Sequence, residues 1–428
     1  MAHSVKWIPG VRFTGRLWRR LHAYDHRALP GYRIARSPEP TPSMTNRRGR
    51  ATLPPMTSLR LHEVHDALGA RFSELAGMEV VADYGDPGAE HTALRSSVAV
   101  VDLGFRGRLC LTGTDRVRML NGQVTNDVRS LATGSGCAAA ICSPKGRLVA
   151  DVAIAALPEE LLLDFEPGLS AALVQRLEHH IVAEDVQVVD AAPHYGLLTI
   201  QGPRASEVIV RLELFPQLPE TPFSVAIAGS ATLGDLYLVN RPRAGFPGFD
   251  LFVPTDCQEA VLDRLVAAAR DLGGCAAGFE ALDLARFEAG IPRFPVDMDD
   301  TNLPPEAGLD RGAISYTKGC YTGQETIARI RTYGQVSKAL RGLRLPDDGS
   351  PLPQKGDKLM RNGREAGYVT SARQSPAMKA RLALGYVRKE SNAPGTELTL
   401  VSGGRESQVR VVNLPFTTMT SRDMEPAG

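Results

Sequence analysis

No apolar run in this chain approaches the length needed to cross a bilayer; the longest, around Val98-Ala99-Val100-Val101, is the size of a buried strand. Net charge is nearly absent too, at +1. That neutrality excludes the footprint of a direct nucleic-acid binder, and no aromatic interleaving of basic residues takes its place. The six cysteines, Cys110, Cys137, Cys142, Cys257, Cys275 and Cys320, form no Cys-x-x-Cys pair and follow no secretory signal. A disulfide framework is therefore not expected, and the cytoplasm is the default compartment. Cys137 and Cys142 lack a nearby His or Cys to complete a zinc set and read as strand residues. A Walker loop, a Rossmann glycine fingerprint and a His-Glu-x-x-His helix are all missing.

What charge there is lies unevenly. Residues 1–55 carry Lys6 and ten arginines against Asp25 and Glu39. Three readings stay open: a segment upstream of the true start at Met44 or Met56, an Arg-rich organelle-targeting peptide, or a disordered arm on an anionic surface.

From residue 56 the pattern turns regular. Residues 59–75 read as an amphipathic helix, 98–103 and 108–111 as strands, and Thr114 as the cap of a helix ending near Asn121-Gly122. Residues 137–142 and 147–156 read as a hairpin turned at Ser143-Pro144-Lys145-Gly146, followed by a strand over 161–165 and a helix over 169–182. Strands at 186–189 and 197–200 precede helices at 204–214, 258–269 and 279–289. Antiparallel pairs alternating with helices predict an α+β body built from two ferredoxin-like split β-α-β units. After Gln335 six short strands with Gly and Pro between them predict a small C-terminal β-barrel. The expected division is a leader at 1–55, a two-lobed region at 56–335 and the barrel at 336–428, with a frayed last ten residues.

The octapeptide Lys318-Gly319-Cys320-Tyr321-Thr322-Gly323-Gln324-Glu325 is the most informative stretch. It stands before an expected helix ending near Gly334, where unpaired amides and the helix dipole favour an anion. Lys318 adds a cation, so Cys320 is expected to be an accessible, thiolate-prone sulfur. Gly319 and Gly323 allow backbone angles closed to other residues. Tyr321 either stacks on a ligand or packs in the core. Arg329 and Arg331 either attract an acidic group or form a solvated face.

The octapeptide resembles the signature of the YgfZ folate-binding family, which is related to the T-protein of the glycine cleavage system, a tetrahydrofolate-dependent aminomethyltransferase. The stretches 120–128, Pro144-Lys145-Gly146-Arg147 with Asp151, 286–294, 302–310, 363–371 and 383–387 are similar to other family blocks. The resemblance implies a three-lobed T-protein-like body with a central folate channel. It implies bound tetrahydrofolate or a derivative, and a role in assembling or maintaining iron–sulfur clusters in client enzymes, including radical enzymes that modify tRNA. Client enzymes or cluster carriers would be the partners. Cys320 could then be a ligand to a shared, transient cluster, one cysteine being too few to hold a cluster alone. Asp127, after Asn126, matches the T-protein aspartate beside the reacting folate nitrogen; the same pair also suits an Asx turn. Lys318, Gly319, Tyr321, Gly323, Gln324, Glu325, Asn126, Phe246 and Arg329 complete the expected site. Phe246 falls where T-proteins grip the pterin with a glutamate, a departure that weakens the case for aminomethyl transfer, the alternative activity.

Overall fold

The structure is a computed structural model that describes residues 56–334 and 336–418. The leader at 1–55 and the last ten residues lie outside the described residues.

Three sheets organise the body. The first lays six strands in the order Val225–Ser230, Gly234–Asn240, Gly248–Pro254, Tyr195–Gln201, Ala99–Asp102 and Cys275–Ala276. All neighbours are antiparallel except the last pair. Its residues alternate with the period of a strand. Leu198, Ile200, Leu251 and Val253 face the helices Ala205–Arg211 and Gln258–Arg270, which supply Val208, Ile209, Val261 and Leu265. The alternate positions Thr199, Gln201 and Asp250 are buried and polar. Buried polar groups need partners: Thr199 donates to the Phe249 carbonyl, Gln201 donates to the Arg241 carbonyl, and Asp250 accepts from Arg243.

The second sheet orders Ser135–Cys142, Leu148–Ala156, Leu161–Phe165, Gly107–Thr112 and Gln187–Asp190, all antiparallel. Strand Gly107–Thr112 sits between the two that follow it later in the chain, which is the split β-α-β arrangement with one added edge strand. Helices Arg116–Asn121 and Ser170–His179 cover one face through Met119, Leu120, Leu173 and Leu177. The third sheet closes a six-stranded barrel: Lys338–Arg344, Ala380–Arg388, Arg364–Ser375, Lys358–Arg361, Glu397–Ser402 and Arg405–Val412. The α+β architecture with a terminal barrel is thus the one expected.

Several elements differ from expectation for identifiable reasons. The helix expected over 59–75 runs only over His62–Ala67. Gly69 takes φ +82° and ends it, and Arg71–Leu75 pairs instead with Met78–Asp83 as a hairpin. The helix Pro87–Ser96 is not among the expected elements, although its start is legible: Asp86 accepts the amide of Ala89 and proline stands in the first turn. Thr114 caps nothing; its amide and hydroxyl both donate to Asp185 at 2.9 Å, and Asp115 takes the N-cap position. The strands Val225–Ser230, Gly234–Asn240 and Gly248–Pro254 are likewise additional to the expected ones.

Candidate functional site

The cysteine loop is anchored from below. Lys318 is 9% exposed, and its ammonium donates to the carbonyls of Asn121 at 2.6 Å, Val124 at 2.8 Å and Asn126 at 2.7 Å. The expectation of a cation serving Cys320 is corrected here: three carbonyls take up its three donors. Burial pulls its pKa down to about 8. Lys318 therefore clips the loop over 315–323 onto the segment 121–126. Thr125 adds to the same seam by donating to Ala313 at 2.6 Å.

Cys320 is exposed, and the other five cysteines are buried or half-buried. Gly319, also exposed, has open space where a side chain would go and no left-handed φ, so glycine is not imposed there. Gly323 is different. It caps the helix Gln324–Tyr333 at φ +87°, and an added Cβ would sit 2.5 Å from the carbonyl oxygen of Ser143. Gly323→Ala is expected to cost about 2 kcal/mol or more, and Gly319→Ala about 0.5 or less. Denaturant midpoints of the two variants check this directly.

Tyr321 is a core residue rather than a ligand platform. It is buried with Cys142, Leu148 and Ile327, and the Lys318 ammonium lies 5.1 Å from its ring centre. Gln324 is half-buried; Glu325 and Arg329 pair with each other at 2.8 Å on the open face of the helix. Asn126 donates to Ala138 and Gly312 and accepts the amide of Asp127. Asp127 accepts the amide of Arg129 at 3.1 Å. The turn reading of Asn126-Asp127 is the one the geometry adopts.

The strongest unsatisfied chemistry lies elsewhere, where the two lobes meet. Arg106 donates to both oxygens of Asp164, at 2.7 and 3.1 Å, and to Glu166. Arg243 bridges Asp164 at 2.8 Å and Asp250 at 2.6 Å. Arg241 lies 4.0 Å from Asp164, with one guanidinium nitrogen, Nη1, lacking a hydrogen-bond partner. Asp151, on strand Leu148–Ala156, has no arginine within ion-pair distance among the described residues, and its Oδ1 accepts no hydrogen bond. Arg106, Arg241, Arg243 and, 4.0 Å from Glu166, Arg293 face Asp164, Glu166 and Asp250, and none of them comes within ion-pair distance of the Asp151 carboxyl. Burial first, and then repulsion from Glu166, pushes it up to about 6, against the pull of Arg106 and Arg241. Asp151 and Arg241 are both half-buried, so solvent reaches their residues at this depth. Ala138, Ala140 and Ala153 alternate on the strands around Asp151 and leave it room.

Phe246 is half-buried against the core of the first lobe, and the Arg95 guanidinium lies 5.5 Å from its ring centre. That ring face is already covered. Of the expected residues, the fold brings Lys318, Asn126 and Asp127 together beneath the cysteine loop. Asp151, Arg241, Arg243, Arg106, Asp164 and Glu166 were missed as a group. Their signal was present: Asp164 and Glu166 punctuate an apolar strand, and Arg241-Pro242-Arg243 precedes another.

Two family models match the chain. The GCVT N-terminal domain matches residues 61–318, and the glycine cleavage T-protein C-terminal barrel domain matches residues 338–417. A protein named aminomethyltransferase from Symbiobacterium thermophilum is 30% identical over 366 residues, 83% of this chain and 96% of that protein. One of the same name from Halothermothrix orenii is 27% identical over 365 residues, covering 84% of this chain and all of the relative. The crystal structure of the glycine cleavage system aminomethyltransferase T from Bartonella henselae matches with a TM-score of 0.76 at 24% identity, over 84% of this chain and 98% of that one, a likeness of fold. No helix among the described residues is long and apolar enough to cross a membrane. Body and barrel are matched in chain order along nearly all the described length, and this chain belongs to the glycine cleavage T-protein family.

Proposed function

We propose that this protein binds a tetrahydrofolate between its two lobes and supports one-carbon transfer of the aminomethyl type. The observation that carries the reading is the Asp151 carboxyl, out of ion-pair reach of the arginines around it, pushed up to about 6 by burial and lacking a hydrogen bond at Oδ1. An unpaired acceptor at Asp151 and an unpaired donor at Arg241 Nη1 suit an occupant with both kinds of polar edge, as a pterin has. When bound, the folate supplies an amine that takes up a one-carbon unit. The chain's own contribution is to hold the ring, exclude water, and keep a proton or a negative charge at Asp151 Oδ1 as the chemistry requires. With Phe246 in place of a glutamate, recognition of the pterin edge falls to Asp151 and Arg241. The test is calorimetric titration of tetrahydrofolate, with turnover of an aminomethyl donor measured alongside. Arg241→Met is expected to weaken binding about tenfold. Wild-type affinity in that variant would remove the crevice from the reading.

A second reading rests on a separate observation, the exposed Cys320 held out by the Lys318 clip. A thiolate is a soft ligand for iron. Under this reading the protein is an accessory factor of the YgfZ type for iron–sulfur enzymes, with folate as its regulator or co-substrate, and cluster-bearing clients as partners. Cys320→Ala is expected to leave thermal stability within about 0.5 kcal/mol of wild type while lowering the activity of [4Fe–4S] client enzymes in cells. Full client activity at normal abundance of the variant would discard the accessory role. The domain division proposed with both readings is a leader at 1–55, the folate-binding lobes at 56–335 and the barrel at 336–428.

A further inference from the structure

A cavity of about 600 Å³ opens at the seam between the first and second lobes, lined by none of Cys320, Lys318, Asp151 and Arg241. It is large enough for a small organic ligand. Leu59, Met78, Phe105 and Pro193 give it apolar walls, and Gly107 and Gly196 keep the backbone close. A Cβ on Gly107 would stand 2.2 Å from the Phe165 ring, and one on Gly196 2.2 Å from the Gln258 carboxamide.

Two features on its wall ask for negative charge. The first is Arg108, which is 2% exposed. Its guanidinium donates only to the carbonyls of Leu103 at 3.3 Å and Gly104 at 3.0 Å, and its Nε has no partner. No carboxylate comes within ion-pair distance of it among the described residues. Arg106, two positions earlier and just before the strand Gly107–Thr112, has two such carboxylates. The difference shows in their basicity: Arg106 is raised above the ordinary arginine range, and burial brings Arg108 down to about 10. Asp164, Asp102 and Asp190 act on Arg108 only from beyond ion-pair distance, and a buried charge without a contacting counter-ion is costly.

The second is the start of helix Ser170–His179. Leu169 holds the N-cap position without a side-chain cap bond, and Ser170 and Ala171 line the cavity. Their amides donate to no acceptor among the described residues, and the positive end of the helix dipole faces the same space. Two carboxylates, Asp102 and Asp190, also line the cavity. Asp102 is occupied by His65 at 2.9 Å, the Gly104 amide at 2.7 Å and Gln258 at 3.4 Å. Asp190 accepts the Ala192 amide at 3.0 Å. These acids disfavour a dianion and leave room for a single negative charge.

We propose that this cavity binds a small carboxylic acid with an apolar body, its carboxylate held by Arg108 and the first-turn amides of Ser170 and Ala171. Arg106 lines the cavity and also grips Asp164 and Glu166, so an occupant here sits directly behind the charged network of the folate crevice.

The test is calorimetric titration of the full chain with hexanoate at neutral pH without folate, with hexanol and inorganic phosphate as parallel ligands. Saturable hexanoate binding is expected, with hexanol and phosphate at least about tenfold weaker. Arg108→Met and Ser170→Glu are each expected to weaken hexanoate about tenfold or more. Ser170→Glu places a carboxylate where a helix start favours one, so the fold is retained even if Arg108→Met fails to fold. Absent binding at millimolar hexanoate, equal binding of hexanol, tighter binding of phosphate, or undiminished affinity in Ser170→Glu would each overturn the proposal. So would loss of hexanoate binding in Asp151→Asn, which would put the acid in the folate crevice. None of these readings depends on whether tetrahydrofolate binds.

Discussion

Asp151→Asn is expected to make the protein more stable at pH 8 and to abolish folate-dependent turnover. The two effects share one cause. In the folded chain the carboxyl is pushed up to about 6 by burial and by Glu166. In the unfolded chain it titrates near the ordinary value of 3.8. Below that value both states hold the proton, and Asp151 carries no ionic penalty. As pH rises from about 4 to about 6, the unfolded state ionises first and binds fewer protons, so folding stability falls. Above that window the penalty is constant, at about 2–3 kcal/mol for a shift of this size. Asparagine removes it. The variant is expected to gain roughly 1–3 kcal/mol at pH 8 and to lose the advantage as pH is lowered through 6 toward 4. Urea melts at pH 4, 6 and 8 give the profile. An amide cannot hold or release the proton, so turnover should fall by at least about a hundredfold. A variant that is destabilised at pH 8, or stabilised equally at pH 4, would show that Asp151 is an ordinary paired carboxylate and would take the proposed site with it. Gain in stability with loss of function is the mark of a residue kept for its chemistry.

The sequence made the scaffold far more legible than the site. The barrel strands Lys358–Arg361 and Glu397–Ser402 and the hairpin Ser135–Cys142 with Leu148–Ala156 were visible because local rules decide them: two-residue alternation, with turns marked by Gly and Pro. The helix at 59–75 failed where a left-handed glycine overrode apolar periodicity. Site residues obey no local rule. Lys318 reads as a loop cation, and only tertiary structure brings the carbonyls of Asn121, Val124 and Asn126 around its ammonium. Asp151 reads as one polar residue in a strand, and only the assembled lobes leave it without an arginine while Asp164, thirteen positions on, receives Arg106 and Arg243 in contact and Arg241 at 4.0 Å. The shift that makes Asp151 useful is a difference between neighbours, and sequence spacing does not encode it.

That difference depends on Asp164, which gives the second large effect. Asp164 is 4% exposed and joins Arg106 to Arg243, and both guanidiniums hold its carboxyl well below the usual carboxylate range. Asp164→Asn keeps the shape and removes the charge. Arg106 keeps Glu166 and Arg243 keeps Asp250, but two buried cations lose the carboxylate between them. Breaking a buried ion network from one side costs about 3–5 kcal/mol. Removing the exposed Glu325–Arg329 pair by Glu325→Ala should cost under about 0.5 kcal/mol. The pH profile separates lost charge from lost packing. Because the folded pKa is depressed, the stabilisation from Asp164 is fully present above about 4 and fades as pH falls below it. The deficit of Asp164→Asn should therefore be largest near neutrality and shrink in acid, opposite in sense to Asp151→Asn. Asp151 should respond as well: with Asp164 neutral, Arg106 and Arg241 have one fewer carboxylate to answer, and their pull on Asp151 strengthens. The apparent pKa governing turnover should then move below its wild-type position. Equal deficits at about pH 2 and at pH 7, with an unmoved turnover profile, would mean that the arginines and Asp151 do not share one electrostatic site.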